Sequence, residues 1–148
     1  MKKKIVYSFL GLPASGKGTQ VELFAKKRNL TVISIGDLVR EEISKLSETP
    51  DKEKLEMIKH YNEGTPQDDG VVFNLINKKL MEINSGAVFD NFPFSLKQAE
   101  YLFKYIHEKK WATPVLIVID IKETTSFKRI NSRKVCTKCK TIVKKEVD

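Results

Sequence analysis

The run Gly11-Leu12-Pro13-Ala14-Ser15-Gly16-Lys17-Gly18-Thr19-Gln20 lies between an apolar segment, Ile5 to Leu10, and a stretch with helical spacing. Strand, glycine-rich loop, lysine and helix in that order leave the chain few ways to fold. The backbone must leave a buried strand, turn sharply and enter a helix whose first amides are unpaired. Those N–H groups and the positive end of the helix dipole point at one small volume that suits phosphate. Lys17 adds a full charge there, and a triphosphate is the usual occupant. The candidate binding residues are Pro13, Ala14, Ser15, Gly16, Lys17, Gly18 and Thr19. The general pattern wants Ser or Thr directly after the lysine. Here Gly18 intervenes and the hydroxyl arrives at Thr19, so ligation of Mg²⁺ by that hydroxyl is not assured. The bland alternative is a tight glycine turn with a surface lysine.

A chain of 148 residues, 41% apolar and 31% charged, suits one α/β domain with a real core. No apolar run approaches the ~20 residues of a membrane span, so no membrane partner is expected. The start, Met-Lys-Lys-Lys followed by an apolar run and Pro-Ala-Ser-Gly, mimics a short secretory signal. Cleavage near Ala14 would cut the phosphate loop in two, so a buried first strand and a cytoplasmic chain are expected instead. The net charge of +8 is concentrated at one end: residues 128–148 carry +6 of it. Charge confined to one end reads as part of a site or a tail, which argues against a nucleic-acid face across the fold.

Lys4 to Leu10 reads as a parallel strand covered on both faces, followed by a helix from Gly16 to Arg28 with Val21, Phe24 and Ala25 inward. Thr31 to Ile35 is a short β-branched strand. Asp37 is the expected cap of a second helix, with Leu38, Ile43 and Leu46 as its apolar positions. Pro50 and Asp51 open a third helix to about Asn62, and Asp68-Asp69 precede a fourth carrying Val72, Leu75, Ile76 and Leu80. Ala87 to Asp90 is a strand ending in a charge. Ser95 caps a helix to about His107, Pro114 to Ile121 is the clearest strand, and a last helix covers Glu123 to Arg133. Strands alternating with helices predict a parallel sheet.

Ligands of such sheets sit at the carboxyl ends of the strands. The phosphate loop, Arg40 after the second strand and Asp90 after the third converge there. Asp90 suits the water shell of a Mg²⁺ beside phosphates, or else serves as a turn residue. Arg40 is placed to clamp a second phosphate, or is a solvated helix arginine. Arg129 and Arg133, four apart, share one helix face. One suits stacking on a base and the other neutralising phosphoryl charge; the alternative is an exposed basic stripe. Cys136 and Cys139 are half of a zinc knuckle or a free thiol pair, since a structural zinc needs four ligands. His60 and His107 read as surface residues, and Trp111 as a packing anchor.

Over nearly its whole length the chain resembles the adenylate kinases of the nucleoside monophosphate kinase family. Gly11 to Gln20 has that family's loop form, in which Lys-Gly-Thr is normal. Ser34-Ile35-Gly36-Asp37-Leu38-Val39-Arg40 resembles its Ser-Thr-Gly-Asp-x-x-Arg, and Asp90-Asn91-Phe92-Pro93-Phe94 its Asp-Gly-Phe-Pro-Arg. The resemblance implies an α/β, P-loop NTPase-type fold of three α/β/α layers with a parallel sheet. It divides the chain into core (1–35), helical monophosphate-binding insertion (36–66), continued core (67–135) and partial lid (136–148). It implies transfer of the γ-phosphate of ATP to AMP with Mg²⁺, by a monomer. Lys17, Asp90, Arg129 and Arg133 would be catalytic. Arg40 would grip the monophosphate, while Ile35, Gln67 and Gln98 would line or read the base site. Cys136 and Cys139 match the first half of a zinc-bearing lid, so Zn²⁺ is expected only if further ligands exist. Ile35 stands for a threonine, Asn91 for a glycine and Phe94 for a phosphate-binding arginine. The likeness ends inside the lid, before the later arginines and the last strand and helix. Two other readings follow from these departures: an ATP-binding relative with little transfer, or a kinase for another monophosphate acceptor.

Overall fold

The computed structural model describes residues 3–45, 51–132, 134–135 and 142–143. Four parallel strands form its sheet: β1 (Val6–Gly11), β2 (Thr31–Ser34), β3 (Ala87–Asp90) and β4 (Val115–Ile119), in the order β2-β3-β1-β4. The central pair aligns Val6 with Ala87 and Phe9 with Asp90, and β1 aligns Gly11 with Ile119 on its other side. The helices are α1 (Lys17–Arg28), α2 (Ile35–Ser44), α3 (Lys52–Glu63), α4 (Asp69–Glu82), α5 (Leu96–Glu108) and α6 (Glu123–Ser132).

Side chains alternate across a strand, so each strand feeds two cores. Phe9 and Val88 pack on Val21 and Ala25 of α1, with Ile117 and Ile119 of β4 alongside. Val6, Ala87 and Phe89 point the other way, onto Val72, Ile76 and Leu80 of α4 and Leu102 and Ile106 of α5. These are the expected three layers. A third cluster, Val39, Met57 and Leu75, ties α2 and α3 to α4. Trp111 meets Tyr105 edge-on at 5.8 Å, a packing contact. Lys134–Val135 and Ile142–Val143 (β5 and β6) pair antiparallel as a separate two-stranded ladder.

Caps explain where most helices begin. Ser95 accepts from the Gln98 N–H at 3.2 Å, and Asp51 and Asp68 cap α3 and α4 in the same way. Three expectations need correction. The cap of α2 is Ser34, whose hydroxyl accepts from the Asp37 N–H, so β2 stops at Ser34 and the helix starts at Ile35. Asp37 instead occupies the first turn, where its carboxylate faces both the helix dipole and Arg40. Val39, rather than Leu38 or Ile43, is the fully buried residue of this helix. The strand expected from Pro114 to Ile121 shortens to Val115–Ile119 and lies at the edge of the sheet. Leu116 and Val118 there are 58% and 61% exposed, because no described helix covers that side of β4.

Candidate functional site

The loop after β1 is shaped by two left-handed residues. Ala14 has φ 56° and Gly16 has φ 90°, and Gly16 is the N-cap of α1 without any side-chain cap bond. The first amides of α1 therefore keep their donors open, with Lys17 as the first helical residue. Glycine at position 11 answers to close packing: a Cβ there would lie 2.6 Å from the Ile119 carbonyl oxygen. Ser15 is buried, and its hydroxyl has no hydrogen-bond partner among the described residues.

Asp90 ends β3 beside this loop. Its carboxylate lies 3.6 Å from Lys17 Nζ, with both side chains largely shielded from water. The oxygen nearest Lys17, Oδ1, is screened from solvent and accepts no hydrogen bond, so its contact with the ammonium is electrostatic only. A Cβ on Gly18 would stand 3.6 Å from the other oxygen, an ordinary contact, so the first turn of α1 lies directly against this carboxylate. Asn91 follows with φ 60°, a left-handed conformation that asparagine tolerates better than most residues.

A cavity of about 590 Å³ opens on these groups, lined by Gly11, Leu12, Pro13, Lys17, Ser34, Ile35, Gly36, Asp90, Asn91 and Phe94. It joins the phosphate loop, the start of α2 and the end of β3, as the strand-end rule anticipates. The other candidates are not among the residues that line it. Arg40 pairs with Asp37. Burial works against its charge, but that carboxylate and the Tyr61 hydroxyl outweigh it and hold the guanidinium above its ordinary pKa. Gln98 accepts from the Phe94 N–H at 2.8 Å and donates to Asp69 at 3.0 Å, which orients its amide. Gln67 donates to the Met57 carbonyl at 3.0 Å, while its amide oxygen is buried without a partner. Thr19 is exposed in the first turn of α1. Arg129 donates to the Ala14 carbonyl at 3.3 Å. Arg133, Cys136 and Cys139 lie outside the described residues.

Sequence reasoning missed three contributors. Ser126 is buried and donates to the Pro13 carbonyl at 2.7 Å, so together with Arg129 it pins α6 to the phosphate loop. Its spacing of three from Arg129 is the signal that places both on one face. Asp69 and Tyr61 carry no such signal, because their partners come from distant elements.

The family model described as "Adenylate kinase" matches residues 9–147. The chain belongs to the adenylate kinase family. It is 37% identical over 131 residues to the adenylate kinase of Mycoplasma capricolum subsp. capricolum, covering 88% of this chain and 60% of that relative. Similarity to the adenylate kinase of Ruminiclostridium cellulolyticum is 32% over 132 residues, with the same two coverages. The Prochlorococcus marinus adenylate kinase is 35% identical over 133 residues, or 90% of this chain and 70% of its own length. The chain thus spans about 60% of the length of the first curated relatives it matches. Against the family pattern, the cavity carries isoleucine at 35, asparagine at 91 and phenylalanine at 94. A family that works on Mg²⁺-ATP needs a carboxylate near the phosphate loop, and Asp90, beside Lys17 on the cavity wall, fits that need. No helix among the described residues is long and apolar enough to cross a membrane. Among them, too, no three His, Cys, Asp or Glu residues gather as metal ligands.

Proposed function

We propose that this chain is a phosphotransferase of adenylate kinase type, moving the γ-phosphate of ATP to AMP with Mg²⁺ in the cytoplasm, as a monomer. One observation carries the reading: the phosphate loop with Lys17 and the opening of α2 at Ser34–Gly36 face a single cavity with Asp90 between them. A donor and an acceptor phosphate can therefore meet there without leaving the site. The open amides of α1 and Lys17 would hold the β- and γ-phosphates, supported by the backbone from Pro13 to Thr19. Arg40 would hold the acceptor phosphate. Ile35, Gln67 and Gln98 would line the acceptor base. Arg129 would border the donor nucleotide, and Arg133 would offset charge on the transferring group. Bound Mg²⁺ would neutralise phosphate charge, and Asp90 would orient its water shell. Transfer would be direct, and catalysis would consist of positioning and electrostatic stabilisation. Residues 36–66 form the monophosphate arm on this reading, and 136–148 part of a lid. Cys136 and Cys139 would supply two of the four ligands a structural zinc requires, and no step passes through it.

A second reading, ATP binding with weak transfer or transfer to another acceptor, draws on Phe94, which supplies no charge where the family carries arginine. Losing one charge-assisted contact costs about 1.5–3 kcal/mol, roughly tenfold to a hundredfold. Calorimetric titration separates these readings. ATP should bind with Mg²⁺, and Lys17→Met should weaken it at least about tenfold, with AMP bound independently of that change. Unaltered ATP affinity in the variant would remove the donor site. Tight ATP with no AMP affinity would favour the second reading.

A further inference from the structure

We propose that Phe94 shifts recognition on the acceptor side from the phosphate to the base, so that an unphosphorylated nucleoside binds nearly as well as its monophosphate. The proposal rests on the acceptor assignment of the cavity and names how that site selects its ligand.

The Phe94 ring is 74% exposed although it lines the cavity with Lys17, Asp90 and Ile35. It takes part in none of the aromatic or cation–ring contacts among the described residues. An apolar ring left in water beside a cavity is a cost that a ligand removes. The backbone carrying it is nevertheless fixed. Phe92, two residues earlier, is buried against Phe89 at 4.9 Å, the Phe94 N–H is held by Gln98, and Ser95 caps α5 immediately after. A free ring on a rigid stalk is a preorganised stacking face.

Charge points the same way. Lys17 faces Asp90 and Arg40 faces Asp37, so each of these cations is already matched by a carboxylate. With phenylalanine at position 94, Arg40 is the acceptor-side guanidinium left for a doubly negative phosphate, and contact with Ile35 and Phe94 must supply much of the remaining binding. Gln98 keeps one N–H and one lone pair free after its two bonds, enough to read a base edge beside the ring. Alanine replacement of a ring that stacks on a base weakens binding by about tenfold to a hundredfold.

The test is calorimetric titration of the 148-residue chain, without ATP, against adenosine, AMP and ribose 5-phosphate. Adenosine should bind within about tenfold of AMP, and ribose 5-phosphate at least about tenfold more weakly than adenosine. Phe94→Ala should weaken adenosine and AMP alike by about tenfold to a hundredfold while leaving ribose 5-phosphate unchanged. Phe94→Tyr should retain parental affinities, and Phe94→Arg should favour AMP over adenosine. Thermal unfolding of each variant confirms that it folds, as expected for so exposed a side chain. Unchanged adenosine binding in Phe94→Ala, binding of AMP more than about a hundredfold tighter than adenosine in the parent, or no binding of either would overturn the proposal. Adenosine binding through Phe94 in a chain that forms no ADP would sustain it while removing the phosphotransfer reading. ADP formation with adenosine indifferent to Phe94 would do the reverse.

Discussion

Ala14 and Asn91 hold φ angles of 56° and 60°, one inside the phosphate loop and the other just after Asp90. The other two non-glycine residues with positive φ among the described residues, Asn29 and Lys110, end helices or follow one, where such angles are common. For an ordinary L-residue the left-handed region costs about 1–2 kcal/mol, whereas glycine costs about 0.5–1 kcal/mol in lost freedom. Ala14→Gly should therefore stabilise the fold by up to about 1 kcal/mol, raising the unfolding midpoint by roughly 2–4 °C. Differential scanning calorimetry reads this directly, and an unchanged or lowered midpoint would contradict it. At this scale the sequence exposed Lys17 and Asp90, because a residue at a loop–helix junction or strand end has its surroundings set by local order. Spacing put Asp37 with Arg40 and Ser126 with Arg129 on shared helix faces, but it did not show the bonds they make there. Those depend on which of several side-chain partners the packing brings within reach.

Elements are tied across the fold by a few polar contacts. Asp69 at the start of α4 accepts from Gln98 and pairs with Lys97 at 3.2 Å, both on α5. The Gln98 hydrogen bond, with Lys97, holds the Asp69 carboxyl below its ordinary pKa. The folded chain therefore binds that proton less tightly than the unfolded chain does. The contribution is complete above about pH 4, the unfolded value, and is lost as pH falls through the folded one. Asp69→Asn keeps an acceptor for Gln98 but does not titrate. Its denaturation midpoint should fall less steeply than the parent's between about pH 4 and pH 2, and parallel profiles would count against this tie. Element types were legible because Val-Leu-Ile-Val-Ile and the helical spacings are local. The position of β4 was not, since an apolar run signals burial without naming which neighbours provide it. The cap of α2 was misread for a related reason: Ser34 and Asp37 are both good caps, and only the exit angle of β2 decides between them.

Among the described residues the sheet is covered unevenly. Helices cover both faces of β1 and β3, while Leu116 and Val118 on the edge strand and Phe127 and Ile130 on α6 remain exposed. The phosphate loop nonetheless meets Asp90 and the start of α2 around one cavity, with Lys17 on its wall. An open site excludes water poorly, so phosphate transfer to water should accompany transfer to the acceptor. The decisive measurement is the product balance when the chain is given ATP, AMP and Mg²⁺, followed by phosphorus NMR. The expected result is ADP formation that rises with AMP, approaching two ADP for each ATP consumed, with some inorganic phosphate released alongside. ATP consumption that ignores AMP and yields one ADP and one phosphate would contradict it.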